Sequence, residues 1–394
     1  MAKSSRSNWL DLSSSLLSNW ACLCNDLLIS IIEKLVHRSD FIWFSNVCKS
    51  WNSVALNHRK QKLNQLSNHQ IPWQLTRSCD ETNPSLCNYL PNTSPTIFNI
   101  KLRIPSKYKT SMWRRYGSSH GWLVFMEKTT WMLVLLNPLS GATIHLPPFI
   151  DSPLYIFPVF GRVILSRDPS LGSDFEVLFS CAIYVAHLKF GDKFWTSKIF
   201  RDSYSPAQSL IFYKDQIIGV STYSEIMCLD VISGDNGSGR IEFRNITPKC
   251  SSMYFEHCFL SETTFGDLLV VCRRILYKSK YKRYKVYKLI ESDGQVPRLV
   301  PVDNLDGNSI YLDEKHNQSI SVLASNYVGY CRPNSIYYQH VYFQKSEITF
   351  KYYEVVAVEE FNLLEDRRRR HLIPISLETF WVVPSMFSQL VDGV

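Results

Sequence analysis

The sequence lacks an apolar run long enough to span a bilayer. Its longest apolar stretches, such as residues 16–36, are interrupted within a dozen positions, whereas a membrane-spanning helix needs about 20 apolar residues. Lys3 and Arg6 are followed by no apolar segment before Asp11, so the pattern of a secretory signal is missing. We expect a soluble intracellular protein of the nucleus, the cytoplasm or both, with organellar targeting by the Ser-rich leader as the minor alternative.

Paired-cysteine motifs are also missing. The eleven cysteines are odd in number and include no Cys-x-x-Cys pair, which is typical of reduced thiols that act as small apolar side chains. The nearest metal-like grouping, Cys250 with His257 and Cys258, does not have the ligand spacing of a structural zinc site. We therefore expect no metal ion and no cofactor.

One motif matches an enzyme pattern in its letters alone. Residues 117–121 read Gly-x-Ser-x-Gly, as in the nucleophile elbow of hydrolases, which requires a strand before the serine and a helix after it. Residues 122–126 have the pattern of a strand instead, so we predict a turn at Ser119 and no catalytic role. No other set of acidic, basic or metal-binding residues converges in the sequence, and we expect a protein that is not an enzyme.

The net positive charge is local. The chain has 43 basic and 35 acidic residues, and residues 273–288 contain eight basic residues and no acidic one, which equals the whole net charge of +8. A surface that coats nucleic acid would spread its charge, so we expect no nucleic-acid partner. A cationic face here is a candidate site for an acidic substrate segment, a phosphorylated segment or, locally, nucleic acid; the alternative is a solvated edge hairpin whose lysines prevent aggregation. The candidate substrate-binding residues are Lys278, Lys280, Lys282, Arg283 and Lys285.

The chain divides into four segments by its pattern. Residues 1–19 are a flexible Ser-rich leader, and residues 20–62 show helical spacing of apolar residues. Residues 63–110, interrupted by prolines, are predicted to be a linker with irregular structure or edge strands. Residues 111–394 contain short strand-like runs separated by turns, spaced as in a β-propeller of about six or seven blades. The arginine run 367–370 is predicted to lie in a loop, where it could serve as a nuclear-localisation patch.

Two regions resemble a known family. Residues 20–51, with Trp20, Leu23, Asp26 and Leu27 followed by Val-Cys-Lys-Ser-Trp at 47–51, resemble the F-box. Four further stretches, 117–123, 136–148, 266–289 and 380–384, are similar to the β-propeller of a large plant F-box family, the KIB-type propeller. The family's Leu-Pro at the start of the F-box is Leu23-Cys24 here, which removes a residue with a fixed φ angle. The resemblance implies a multidomain fold, with a three-helix F-box followed by an all-β propeller.

The resemblance also implies a function. In the family, the F-box binds a Skp adaptor, which connects it to a cullin and a RING protein, and the propeller binds a protein substrate for ubiquitination. The chain would then be the non-catalytic recognition subunit of an SCF-type ubiquitin ligase, with an unidentified substrate. The alternative is a propeller binding protein with a degenerate F-box that acts outside a cullin complex. The predicted adaptor-binding residues are Leu23, Leu27, Leu28, Ile31, Ile32, Leu35, Val47, Cys48 and Trp51, more apolar surface than a unit of this size can bury by itself.

Overall fold

A computed structural model gives the architecture as two compact units, residues 1–66 and 67–394. The structure describes residues 20–35, 38–67, 69–77, 84–88, 96–98, 102–110, 112–149, 161–200, 206–221, 223–232, 239–248, 257–275, 282–291, 294–313, 317–345, 352–372 and 380–382. Within these ranges, no helix has the length and apolar character needed to cross a membrane.

The first unit is helical, as predicted. A short 3₁₀ turn at Trp20–Cys22 precedes three helices: α1 (Asn25–Lys34), α2 (Arg38–Ser45) and α3 (Lys49–Ser67). The helix α1 carries two apolar stripes, because residues four positions apart lie on one face of a helix. Leu28 and Ile32 form the buried stripe, with 0% and 2% of their surfaces exposed.

Aromatic packing and two hydrogen bonds hold the helices together. The rings of Phe44 and Trp51 are 4.6 Å apart between centroids, and the indole N–H of Trp51 donates to the carbonyl of Trp20 at 2.9 Å. The ammonium of Lys62 in α3 donates to the carbonyl of Glu33 at 2.9 Å. That carbonyl belongs to the last turn of α1, where backbone acceptors have no partner within the helix, so the two helices are tethered at this end.

The described residues of the second unit form 25 strands. The first eleven are β1 (Trp73–Arg77), β2 (Pro84–Asn88), β3 (Thr96–Phe98), β4 (Trp113–Ser119), β5 (Trp122–Glu127), β6 (Leu133–Leu136), β7 (Thr143–His145), β8 (Arg162–Leu165), β9 (Glu176–Cys181), β10 (Tyr184–Lys189) and β11 (Thr196–Ile199). The next eight are β12 (Ser209–Tyr213), β13 (Gln216–Val220), β14 (Ile226–Ile232), β15 (Arg240–Asn245), β16 (His257–Glu262), β17 (Leu268–Ile275), β18 (Lys282–Ile290) and β19 (Arg298–Val302). The last six are β20 (Asn308–Asp313), β21 (Gln318–Leu323), β22 (Ser335–Lys345), β23 (Tyr352–Asn362), β24 (Arg367–Leu372) and β25 (Phe380–Val382).

These strands form a β-propeller, but the predicted blade number is wrong. Consecutive strands make four four-stranded sheets, β4–β7, β8–β11, β12–β15 and β16–β19, and one five-stranded sheet, β20–β24. Residues 111–394 therefore provide five complete blades and not six or seven. The predicted number of blades is too high because some connections between strands are long. Residues 146–161, for example, connect β7 to β8, so one blade takes up more residues than the prediction assumes.

A further sheet joins the two ends of this unit. Strand β25 pairs antiparallel with β1, with Trp73 opposite Val382 and Leu75 opposite Phe380, and the strand order is β25-β1-β2-β3. Strand β25 also lies beside β4 of the first blade. Part of the segment 63–110, for which the sequence predicts a linker followed by irregular structure or edge strands, thus forms β-sheet.

Apolar side chains from facing sheets fill the space between neighbouring blades. Between the first two blades, the Phe149 ring lies 5.3 Å from the Phe179 ring and 4.5 Å from the Trp195 ring, measured between centroids. The Trp122 indole, from the first blade, donates to the Asp168 carboxylate at 3.0 Å. Each fully buried large side chain contributes roughly 1.5–3 kcal/mol, so these interfaces fix the blades relative to one another.

The arginine run is part of the last blade. The prediction of a loop at 367–370 is wrong, because these residues form β24 and pair with β23, Glu359 opposite Arg370. The Arg368 guanidinium donates to the buried carboxylate of Glu359 at 3.2 Å, and the Tyr338 hydroxyl donates to the same oxygen at 2.5 Å. At least one arginine of the run therefore has a structural role.

Candidate functional sites

The nine predicted adaptor-binding residues fall into two groups by exposure. Leu28, Ile32 and Trp51 are buried, with at most 8% of each surface exposed. These three side chains pack inside the helical unit, and their contact with an adaptor stays a prediction. The other six are at least partly exposed, and we call them the exposed apolar set: Leu23, Leu27, Ile31, Leu35, Val47 and Cys48.

The second stripe of α1 supplies much of this exposed apolar set. Leu27 and Ile31 are four residues apart and share a helix face, and Leu23 and Leu35 continue the same spacing at the two ends of the helix. Leu27 and Val47 each leave 52% of their surface exposed. The indole of Trp43 in α2, which the sequence analysis did not select, is 70% exposed. The helical unit thus presents large apolar side chains to solvent, as expected of a surface that binds a partner.

The Cys24 substitution does not disturb the start of α1. Cys24 is the residue that precedes the helix, with φ −68° and ψ 155°. Proline fixes φ near −65°, so Cys24 adopts the angle that the family's proline would impose. The φ angle before α1 is therefore the one expected for the motif, although Cys24 stands where the family has proline.

The basic segment is an antiparallel hairpin, partly outside the described residues. Strands β17 and β18 pair in register from Leu269 opposite Lys288 to Ile275 opposite Lys282. Lys278 and Lys280 lie between them, outside the described ranges, and Lys282 and Arg283 begin β18. Lys285 is exposed. Strand β19 covers β18 from Val286 onwards, so the candidate residues precede the part of β18 that is paired on both sides.

Ser119 lies at the end of a strand and before a tight turn. His120 and Gly121, with φ angles of 50° and 82°, connect β4 directly to β5. Positive φ at both central residues is the signature of a type I′ hairpin turn, which confirms the predicted turn. The Ser119 hydroxyl accepts a hydrogen bond from the Leu165 N–H at 3.1 Å, so it links two blades. Of the residues considered for metal, Cys250 lies outside the described ranges, and the Cys258 thiol lies 3.3 Å from the Cys272 sulfur.

A cavity of about 150 Å³ lies where the inner strands of the five blades meet. Its wall consists of the ends of β4, β8 and β16, the middle of β12, residues 317–321 at the start of β21, and His69, which precedes β1. The polar side chains in this wall include His69, His120, Glu262, Asn317, Gln318 and Ser319. We call it the channel cavity.

An irregular last blade brings β21 to this position. In the sheet order β21-β20-β22-β23-β24, β20 pairs in parallel with β22, so the β20–β21 hairpin is added on the inner side of a three-stranded meander. The amide of Gln318 donates to the Val163 carbonyl in β8 at 3.2 Å, and the hydroxyl of Ser319 donates to the Leu260 carbonyl in β16. The start of β21 is therefore fixed to two other blades.

Sequence reasoning missed the channel cavity. Its polar residues come from strands that are far apart in the chain, and no motif contains them. The one local signal is the 117–121 segment, since Ser119 and His120 both line the cavity. The structure thus brings together acidic and imidazole side chains for which the sequence had suggested no convergence.

These observations define a class of protein: a helical F-box unit followed by a β-propeller. The chain belongs to the KIB1-4 beta-propeller family, whose model matches residues 93–356, and an F-box domain model matches residues 20–63. F-box and β-propeller domains are typically non-catalytic recognition modules.

The chain is similar to three proteins of Arabidopsis thaliana, each named "Putative F-box protein". At4g22660 is 25% identical over 369 residues, which cover 82% of this chain and 86% of the relative. At4g17565 is 26% identical over 345 residues, which cover 81% and 83%. At3g25750 is 21% identical over 362 residues, which cover 84% and 90%. The similarity therefore extends over most of the chain.

Proposed function

We propose that this protein is the substrate-recognition subunit of an SCF-type ubiquitin ligase. The F-box would bind a Skp-family adaptor, which connects it to a cullin and a RING protein, and the propeller would bind a protein substrate. The observation that carries this proposal is the exposed apolar set, on a unit that matches the F-box domain. Leu27 and Val47 in particular leave half of their surface to solvent.

The energetics favour a partner for this surface. Burial of one large aliphatic side chain contributes roughly 1.5–3 kcal/mol, so four such side chains supply enough free energy for a stable complex after the entropic cost of association. In such a complex the chain acts by proximity, since it raises the effective concentration of substrate lysines near the ubiquitin thioester. It needs no catalytic residue of its own for this.

Substrate binding by the basic hairpin is a separate prediction. Lys278, Lys280, Lys282, Arg283 and Lys285 would contact an acidic or phosphorylated segment through charge-assisted hydrogen bonds. Localisation in the nucleus or cytoplasm, where such ligases act, is part of the same proposal.

Ubiquitin transfer onto the chain itself tests the proposal without a known substrate. The full chain is mixed with a plant Skp adaptor, a cullin, a RING protein, ubiquitin and its activating and conjugating enzymes. Recruitment places the chain's own lysines near the thioester, so we expect wild type to be ubiquitinated and Leu27→Asp/Val47→Asp to be unmodified. Leu56→Asp is the matched control, because Leu56 is 58% exposed in α3 and lies outside the exposed apolar set.

The alternative function gives a different result. A propeller binding protein with a degenerate F-box would remain unmodified as wild type, although correctly folded. Equal modification of wild type and Leu27→Asp/Val47→Asp would also refute the proposal, because transfer would then not depend on the exposed apolar set.

A further inference from the structure

Several hydrogen-bond donors in the wall of the channel cavity already have an acceptor. The amide of Gln318 and the hydroxyl of Ser319 donate to backbone carbonyls, as described above. The ring of His69 approaches the Ser321 carbonyl through Nδ1 at 2.9 Å. A carbonyl can only accept, so Nδ1 carries the hydrogen, and Nε2 of the neutral ring is an acceptor. Burial lowers the pKa of His69, which favours this neutral form.

Asn317 contributes a buried acceptor without a partner. Its Nδ2 donates to the Gln208 carbonyl, which fixes the orientation of the amide. Its Oδ1 is buried and has no hydrogen-bond partner among the described residues, and the residue as a whole is 9% exposed. A buried polar atom without a partner destabilises the folded state, so a ligand that donates to Oδ1 would recover free energy.

Glu262 is the acidic residue of the cavity wall. None of the described residues donates a hydrogen bond to its carboxylate, and burial raises its pKa. The positive charge of Lys214 lowers the pKa of Glu262, but by less than burial raises it. The Lys214 ammonium donates its hydrogen bond to Glu291, at 3.1 Å. No lysine or arginine is among the described residues that line the cavity. The wall therefore combines one carboxylate with unused acceptors and lacks an opposite charge.

We propose that the channel cavity binds a single guanidinium or ammonium group, held by the Glu262 carboxylate and Asn317 Oδ1. Such cations carry donors and no acceptor, which complements the Glu262 carboxylate and the buried Asn317 Oδ1. A charged donor to a carboxylate also makes one of the stronger hydrogen bonds in proteins. The Gln318 Oε1 and His69 Nε2 atoms are further acceptors on the same wall.

The cavity volume sets the size of the ligand. Its volume is about 150 Å³. A protein cavity of about this volume can hold one benzene molecule, whereas pockets for drug-sized molecules have volumes of roughly 300–1,000 Å³. The site therefore has room for the end of one side chain. If the proposed function is correct, the cation is an arginine or lysine side chain of the bound substrate; this choice of source rests on that function, whereas cation binding does not.

Titration of the full chain with small cations tests this inference. The probes are N-acetyl-arginine methylamide, N-acetyl-lysine methylamide, agmatine and the neutral arginine isostere N-acetyl-citrulline methylamide, with binding followed by ligand-observed NMR. For ligands of this size we expect Kd values of roughly 0.1–1 mM for a cation and no binding of the citrulline derivative. A capped amino acid that binds more tightly than agmatine indicates a protein side chain as the source, and the reverse order indicates a free amine.

Variants separate the site from general electrostatics. Glu262→Gln keeps the side-chain shape and removes the charge, and we expect it to weaken cation binding at least tenfold. Glu242→Gln makes the same change of charge at an exposed glutamate in β15 and should bind as wild type does. Asn317→Gly removes Oδ1 at a backbone φ of +50°, which glycine tolerates, and should also weaken binding.

Three results would overturn the proposal. The first is that no cation binds at about 10 mM, a concentration far above the expected Kd. The second is that the citrulline derivative binds as tightly as the arginine derivative, and the third is that folded Glu262→Gln binds cations with unchanged affinity. The experiment contains no adaptor, so its outcome is independent of whether the chain joins a cullin complex.

Discussion

Two buried glutamates in the last blade depend on arginine partners. Glu359 and Glu360 are 0% and 1% exposed; the first is paired with Arg368 and the second with Arg332 at 3.1 Å. A buried carboxylate is tolerated because it is paired and hydrogen-bonded. Removal of one partner leaves a charge that neither water nor protein compensates fully.

Arg368→Ala should therefore destabilise the propeller by about 3 kcal/mol. Arg367→Ala is the matched control, because Arg367 is exposed in the same strand and should change the free energy of unfolding by less than about 0.5 kcal/mol. Urea denaturation of the full chain measures both. Equal effects of the two substitutions would contradict the role given to Arg368.

A second residue-scale prediction concerns pH. The ring of His187 lies 2.8 Å from the Glu176 carboxylate through Nε2, and this hydrogen bond holds the pKa of Glu176 below its usual value. A carboxyl whose pKa is lowered by folding stabilises the protein above its unfolded-state pKa of about 4.3, and this contribution is lost as pH falls through the lower, folded-state pKa.

Glu176→Gln should accordingly be less stable than wild type at pH 7, with a difference that shrinks as pH falls below about 4. The Glu176 side chain is 41% exposed, so solvent screening keeps the difference below about 1 kcal/mol. Denaturation at a series of pH values measures it. A difference that grows towards acid pH would show that the sign is wrong.

At the scale of the element, the start of α1 offers a direct test of the F-box geometry. Cys24→Pro should raise the stability of the helical unit by about 0.4–1 kcal/mol, because the native φ of −68° suits proline and the unfolded chain loses freedom. The Cys24 N–H makes no hydrogen bond within the described residues that proline would remove. Thermal loss of the helical circular dichroism signal measures this effect; Cys24→Ala, the control, should not reproduce it.

Helices and turns whose formation depends on residues close together in the sequence could be predicted. Neighbouring residues determine the helical spacing in residues 20–62 and the turn after Ser119, where the φ angles of His120 and Gly121 are both positive. The same reasoning placed Leu28 and Ile32 correctly as apolar positions of α1 but could not tell the buried stripe from the exposed one. Both stripes are apolar, and the side that packs is decided by contacts with the other helices.

Features that depend on distant strands could not be predicted. The parallel pairing of β20 with β22 brings the start of β21 to the channel, and Asn317, Glu262 and His69 meet there from separate parts of the chain. The sequence pattern predicts a loop between strand-like segments for the arginine run. In the structure, its pairing with β23 and the contact with Glu359 override that local pattern.

For the whole molecule, the two compact units divide the proposed tasks. Strand β1 lies near the beginning of the propeller unit and β25 near its end. Their pairing holds together two segments that are about 300 residues apart in the chain. The helical unit carries the exposed apolar set on a separate body. We propose that this set binds a Skp-family adaptor.

The affinity of the full chain for a purified Skp-family adaptor, measured by isothermal titration calorimetry, tests this claim most directly. We expect a Kd of about 1 µM or below for wild type and the same value for Leu56→Asp. Leu27→Asp/Val47→Asp should bind at least about a hundredfold more weakly, since each aspartate would be desolvated in an apolar interface. Failure of folded wild type to bind, or unchanged binding of the double variant, would contradict the account.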